Sequence, residues 1–189
     1  MEKPKIPWDI AFKEAEKLSA TLEPFAKQLA IAGSLRRCKS TVGDIEIVYI
    51  PKSGVYHRTG ELFPTEFQDL VEVKVEEMLK SGTLAYRPKS DGSNVFGPKV
   101  KLLLITNPVI PLDLFSATEE SWANTLMSRT GGKENNILIA STALRQGLEW
   151  LPSGSGFREK RTGRIIPVKT EQQIYSVLGL KYISPEERL

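Results

Sequence analysis

One cysteine and one histidine are all that 189 residues hold of the two side chains most used for nucleophilic and soft-metal chemistry. Cys38 alone cannot close an internal disulfide, which excludes a secreted disulfide scaffold and any cysteine-rich zinc site and points to a reducing compartment. His57 alone excludes a multi-histidine metal centre, and a Ser-His-Asp triad built around it would have no supporting pattern nearby. Aromatic residues make up only 8% of the chain. No window approaches the run of about 18 apolar residues that a membrane helix needs. Residues 1–18 carry lysines with no apolar stretch behind them, so no secretory leader is read, and a cytoplasmic protein without membrane contact is expected.

What is present is an ordinary globular composition, 40% hydrophobic and 26% charged, in a length that suits one medium domain or two small ones. Charge is unevenly spread. Up to Glu120 there are 16 basic and 17 acidic residues, whereas the remaining stretch has 10 and 6. A basic tail half fits a polyanionic partner, and it equally fits a solvated surface.

Periodicity outlines the elements. Ala11, Ala15, Leu18 and Leu22 recur at helical spacing across 9–22, and Pro24 ends the pattern. Strands are expected at 28–32 and 44–50, then a loop over 51–64. A helix over 66–80 is expected, capped by Thr65 with Gln68, its Phe67, Leu70, Val71, Val75, Met78 and Leu79 facing a sheet. Strands at 99–106 and 109–115 flank the turn Asn107-Pro108. Ser116 with Glu119 is read as the cap of a helix to about 128, another helix covers 135–144, and Thr170 with Gln173 opens a last one ending at Gly179. The Gly-rich, basic segment 154–164 suits a hairpin tip. The fold class is α/β (α+β): a mixed sheet with flanking helices over 1–118, followed by a small α+β unit over 119–189.

The chemistry concentrates in acids. Asp44 and Glu46 alternate on one face of a strand, about 6.5–7 Å apart along it, a spacing over which carboxylates share divalent cations. Mg²⁺ takes oxygen ligands and is commonly held by one or two carboxylates plus substrate phosphates. Such a pair is also what a solvated strand edge looks like. The neighbours favour the site: Ile45 and Ile47 imply a half-buried strand, and Asp113 lies in an otherwise apolar strand where a carboxylate requires a partner. If the two strands are adjacent, three acids converge on a two-metal site. Ser34, the Gly33 and Gly43 backbone and the planar fork of Arg37 supply groups suited to phosphate.

These patches, taken in order, resemble the family X DNA polymerases, the polymerase beta-like nucleotidyltransferases. They are Gly33-Ser34-Leu35-Arg36-Arg37, Gly43-Asp44-Ile45-Glu46, the isolated Asp113, Thr130-Gly131-Gly132-Lys133-Glu134-Asn135-Asn136, and a tail from Thr170-Glu171 through Leu178-Gly179-Leu180, Tyr182 and Pro185 to Arg188. The resemblance runs from about Ile31 to Leu189 and implies a minimal form with a nucleotidyltransferase palm and a thumb. It implies Asp44, Glu46 and Asp113 as catalytic metal ligands, with Asp113 nearest a primer 3′ hydroxyl, and Mg²⁺ or Mn²⁺ as cofactor. It further implies that Gly33, Ser34, Arg37 and Gly43 hold a triphosphate, that Gly131 approaches the incoming sugar, and that Asn136 meets the minor-groove edge of the incoming base. The implied partners are a dNTP and gapped or primer-template DNA, bound by a monomer. Glu46 stands where Asp is usual, Ser128-Arg129 where an aromatic pair is common, and Ala140 where a template-facing arginine occurs in polymerase beta.

Arg158, Lys160, Arg161, Arg164 and Lys169 are the candidate contacts to DNA phosphates, or a solvated basic hairpin. Trp122 and Trp150 are candidates for base stacking or for the core. The activity expected is template-directed addition of deoxynucleotides to a primer end, as gap filling in DNA repair. Two alternatives stay open: template-independent transfer or transfer to a non-DNA acceptor, and a DNA-end-binding module without catalysis.

Overall fold

A computed structural model describes residues 5–55 and 67–188; His57 and Thr65 lie outside the described residues. In chain order the elements are β1 (Ile6–Pro7), α1 (Trp8–Leu22), a 3₁₀ turn (Glu23–Phe25), β2 (Ala26–Ile31), α2 (Gly33–Arg36), β3 (Thr41–Val42), β4 (Ile45–Pro51), β5 (Ser53–Val55), β6 (Phe67–Asp69), α3 (Leu70–Lys80), β7 (Leu84–Tyr86), β8 (Val100–Thr106) and β9 (Val109–Ser116). They continue with α4 (Trp122–Thr130), α5 (Lys133–Arg145), β10 (Leu148–Trp150), β11 (Gly156–Glu159), β12 (Ile165–Pro167), α6 (Glu171–Val177) and a closing 3₁₀ turn (Pro185–Glu187). This is the mixed α+β architecture expected. None of the described helices is long and apolar enough to cross a membrane.

The main sheet has the order β2-β4-β9-β8-β7 and is antiparallel except for the central pair β4 and β9. Alternation along its strands separates two faces. Ile45, Ile47 and Tyr49 of β4, Leu103 and Ile105 of β8, and Ile110, Leu112 and Leu114 of β9 point to one face, where they pack with Ala11, Ala15, Leu18 and Leu22 of α1 and Val71 and Val75 of α3. Each of the larger aliphatic side chains buried there contributes about 1.5–3 kcal/mol. The opposite face is shared. Val48, Ile50 and Phe115 are covered by Leu126 of α4, while Glu46 and Asp113 on the same face remain half-buried.

A second core gathers Ala123, Met127, Ile139, Ala143, Leu148, Trp150, Phe157, Ile174, Tyr175 and Leu178 around the three-stranded sheet β10-β11-β12. Trp150 belongs to this core, its Nε1–H donating to Asn124 Oδ1 at 2.8 Å, and partly buried Trp122 packs against the cluster that joins the two cores.

Two helix starts differ from the sequence expectation. Helix α3 begins at Leu70, because Asp69 accepts from the Glu72 amide at 3.0 Å and caps it, while 67–69 extend to pair with 53–55. Helix α4 begins at Trp122; Ser121 and Thr118 bond to one another instead of Ser116 pairing with Glu119. The predicted Thr170 cap is present, accepting from Gln173 N at 3.2 Å.

Candidate active site

The parallel register of β4 and β9 sets Glu46 directly beside Asp113, and Asp44 precedes Glu46 by two residues just before β4 begins. All three are half-buried on the sheet face that α4 leaves uncovered. Gly33 reaches this row because it has no side chain. A Cβ built there would lie 2.1 Å from Glu46 Oε2, and its φ of +65° is one that L residues avoid. The one-turn α2 therefore sits against the acids, with Ser34 on it and Arg37 directly after its end. The sequence reading took Gly33-Ser34 for a turn, and it is the start of this short helix.

Asp113 is ion-paired with Arg87, a residue that the sequence gave no reason to single out. Among the described residues no group of three or more acidic, histidine or cysteine side chains is placed so that it could hold a metal ion. The donor chemistry nonetheless fits a hard cation: carboxylate oxygens only, two of the carboxylates side by side across a strand pair, the kind of partial set that substrate phosphates complete around Mg²⁺.

The candidate nucleotide residues come together from the two halves of the chain. The Arg37 guanidinium donates to the Thr130 carbonyl and lies against Gly131, whose φ is +66°. Burial pulls the Arg37 guanidinium below its ordinary pKa, opposed by the charge of Glu46. The Gly131–Gly132 peptide is cis. Asn136, in the first turn of α5, donates to the Ser128 carbonyl at 2.8 Å while its Oδ1 is buried without a hydrogen-bond partner. Arg129 stacks on the Phe115 ring with Cζ 4.0 Å from the centroid, two residues along β9 from Asp113.

Beside these residues runs a buried joint. Arg36 grips Glu171 at the start of α6 with two bonds of 2.9 and 2.7 Å and donates to Thr130 Oγ1 at 2.7 Å. Arg188, 1% exposed, donates to the same carboxylate at 2.9 Å. Burial pushes the Glu171 carboxyl up, but bonds from Arg36 and Arg188 and their charges outweigh it and hold the group below its ordinary value.

Residues 125–189 match the DNA polymerase beta thumb family. Over 188 residues the chain is 26% identical to the DNA polymerase/3'-5' exonuclease PolX of Bacillus subtilis (strain 168), covering 97% of this chain and 28% of that protein. The chain is similar to the family X DNA polymerases. It thus spans little more than a quarter of the length of that curated family X relative. Its fold matches Leishmania infantum polymerase beta in a ternary gap complex (TM-score 0.74, 17% identity, 98% of this chain and 71% of the other). A ternary primer-template complex of the same polymerase matches with TM-score 0.72 at 18% identity, over 98% and 77% of the two chains.

Within this polymerase beta-like fold the five basic candidates sit apart from the acids, on or beside the sheet β10-β11-β12. All five are exposed. Arg158 pairs with Glu149 at 3.1 Å and Arg164 with Glu159 at 2.9 Å, while Lys160 and Arg161 stand in the turn between β11 and β12 and Lys169 just before α6. Glu171 and Arg188 fell within the tail motif, but the pairing of Glu171 with both Arg36 and Arg188 was missed; Arg87 and the stack of Arg129 on Phe115 left no sequence signal.

Proposed function

We propose that this chain is a metal-dependent nucleotidyltransferase that extends a DNA primer 3′ end with deoxynucleotides, filling gaps in repair. Residues 1–118 form the palm and 119–189 the thumb. The single observation that carries this reading is the parallel pairing that sets Glu46 beside Asp113, with a glycine turn pressed against the same row. The DNA polymerase identities of the relatives support it.

Asp44, Glu46 and Asp113 would hold Mg²⁺ or Mn²⁺, which supplies positive charge to activate the primer hydroxyl and to stabilise the displaced pyrophosphate. Ser34, Arg37 and the backbone at Gly33 and Gly43 bind the triphosphate, Arg37 as a charged planar donor. Gly131 would come close to the incoming sugar. Asn136 would turn its Nδ2 donor, which bonds the Ser128 carbonyl here, to the minor-groove edge of the incoming base. The basic hairpin and Lys169 bind duplex phosphates, which gives salt-dependent affinity.

Primer extension on a one-nucleotide-gapped duplex tests this directly, with each dNTP and rNTP offered separately beside a single-stranded primer. Incorporation of only the complementary dNTP is expected, lost in Asp113→Ala while that variant keeps its circular dichroism spectrum. Undiminished incorporation by folded Asp113→Ala overturns the mechanism.

A further inference from the structure

One row of the main sheet carries opposite charges across four strands. Register pairs Glu46 with Asp113 and Asp113 with Leu102, and the Arg87 amide donates to the Leu102 carbonyl at 3.2 Å, so Arg87 continues the row at the sheet's edge. Residues paired in register share a face. Arg87 therefore stands on the same face as the acids and reaches over the smaller, apolar Leu102 to the Asp113 carboxylate. The pair is only partly covered, with the Arg87 and Asp113 side chains 25% and 16% exposed.

Two carboxylates held side by side on adjacent strands repel one another, and a positive charge on one of them relieves that repulsion. From this we propose that Arg87 is a stand-in cation. It neutralises Asp113 and holds it in place while no divalent ion is bound, and it gives up the carboxylate when one arrives. The inference rests on the assignment of Asp113 as a metal ligand. Two cations compete for one carboxylate, so Arg87 lowers the affinity of the site for divalent metal. In return it keeps the acidic row formed in the empty site. Arg87 is a positioning residue in this role, since it acts on Asp113 and not on substrate.

Mn²⁺ titration of the full chain followed by electron paramagnetic resonance, without DNA or nucleotide, reads this directly. Removal of the competing charge in Arg87→Gln is expected to tighten Mn²⁺ binding about tenfold, the factor that about 1.4 kcal/mol supplies. Arg87→Lys, which keeps the charge, is expected to stay within about twofold of the parent. Asp113→Asn is expected to weaken binding whether or not Arg87 is present. Unchanged or weaker binding in Arg87→Gln, with Asp113→Asn still impaired, overturns the stand-in role and leaves the metal assignment standing. Full Mn²⁺ affinity in Asp113→Asn overturns the assignment itself. The unsubstituted chain gives an independent reading. The Arg87 side-chain ¹⁵Nε resonance is expected to shift on Mg²⁺ addition, and a resonance that stays in place overturns the proposal.

Discussion

Two of the carboxylates that arginine holds in this molecule, Glu171 and Asp113, are held differently. Glu171 is 7% exposed and gripped by two guanidinium groups, one of them bidentate, that come from residues 135 positions upstream and 17 downstream. Asp113 is more open and is paired with Arg87 at the edge of the sheet. A charge buried between two partners is a fixed joint, because loss of one partner strands the others away from water. A pair that water reaches contributes little to stability and can exchange partners. The chain thus places its rigid ion cluster where the two cores meet and its exchangeable one where chemistry is expected.

The largest effect should follow from breaking the joint. Glu171→Gln leaves Arg188 buried without its counter-charge and is expected to cost about 3–5 kcal/mol, measured by urea unfolding at pH 7. Asp113→Asn should cost about 1 kcal/mol or less in the same assay, and equal losses in the two variants would erase the distinction drawn between them.

Acidity sharpens the contrast further. The carboxyl of Glu171 is held below its ordinary value in the folded chain, whereas unfolded Glu titrates at about 4.3. Its contribution is complete above that unfolded value and is lost as pH falls through the lower folded one. Parent and Glu171→Gln should therefore converge in stability only in strongly acidic urea titrations, and a gap that does not narrow there contradicts the assignment.

Next in size is Gly33→Ala. Its Cβ would meet Glu46 Oε2 at 2.1 Å and sit at a φ of +65°, with a conformational cost of about 1–2 kcal/mol and a displaced Glu46. Reduced stability together with weaker Mn²⁺ binding is the expected outcome. Smallest on stability is the basic turn. Lys160→Ala and Arg161→Ala should change unfolding free energy by less than about 0.5 kcal/mol. Each should also reduce the dependence of log K for duplex DNA on log salt by about 0.9, which fluorescence anisotropy at several salt concentrations would measure.

The comparison also explains what was legible in the sequence. Asp44, Glu46 and the apolar frame of Asp113 were readable because strand alternation is local: Ile45 and Ile47 declare the buried face and leave Glu46 on the other. Arg37, Gly131 and Asn136 were reachable through motif order, and the structure draws Arg37 to the Thr130-Gly131 turn. The start of α3 was misjudged because Thr65 and Asp69 both suit a cap, and the choice was made by tertiary pairing of 67–69 with 53–55. Arg87 was invisible for a related reason. Its role depends on the register of three strands, β7, β8 and β9, and one side chain two rungs away carries no periodic signature.

The parallel pairing of β4 with β9 has a consequence for the order in which the molecule assembles. Every other neighbour pair in the main sheet is antiparallel. The hairpin β8–β9 closes through the short turn at Asn107-Pro108, whereas Glu46 and Asp113 must find one another across 66 intervening residues. Contacts so distant in sequence carry a large loop-closure entropy and tend to form late. The acidic row is then among the last features to mature during refolding, and under the proposed assignment of Asp113 as a metal ligand, divalent-metal affinity would gauge completed assembly where helical circular dichroism does not.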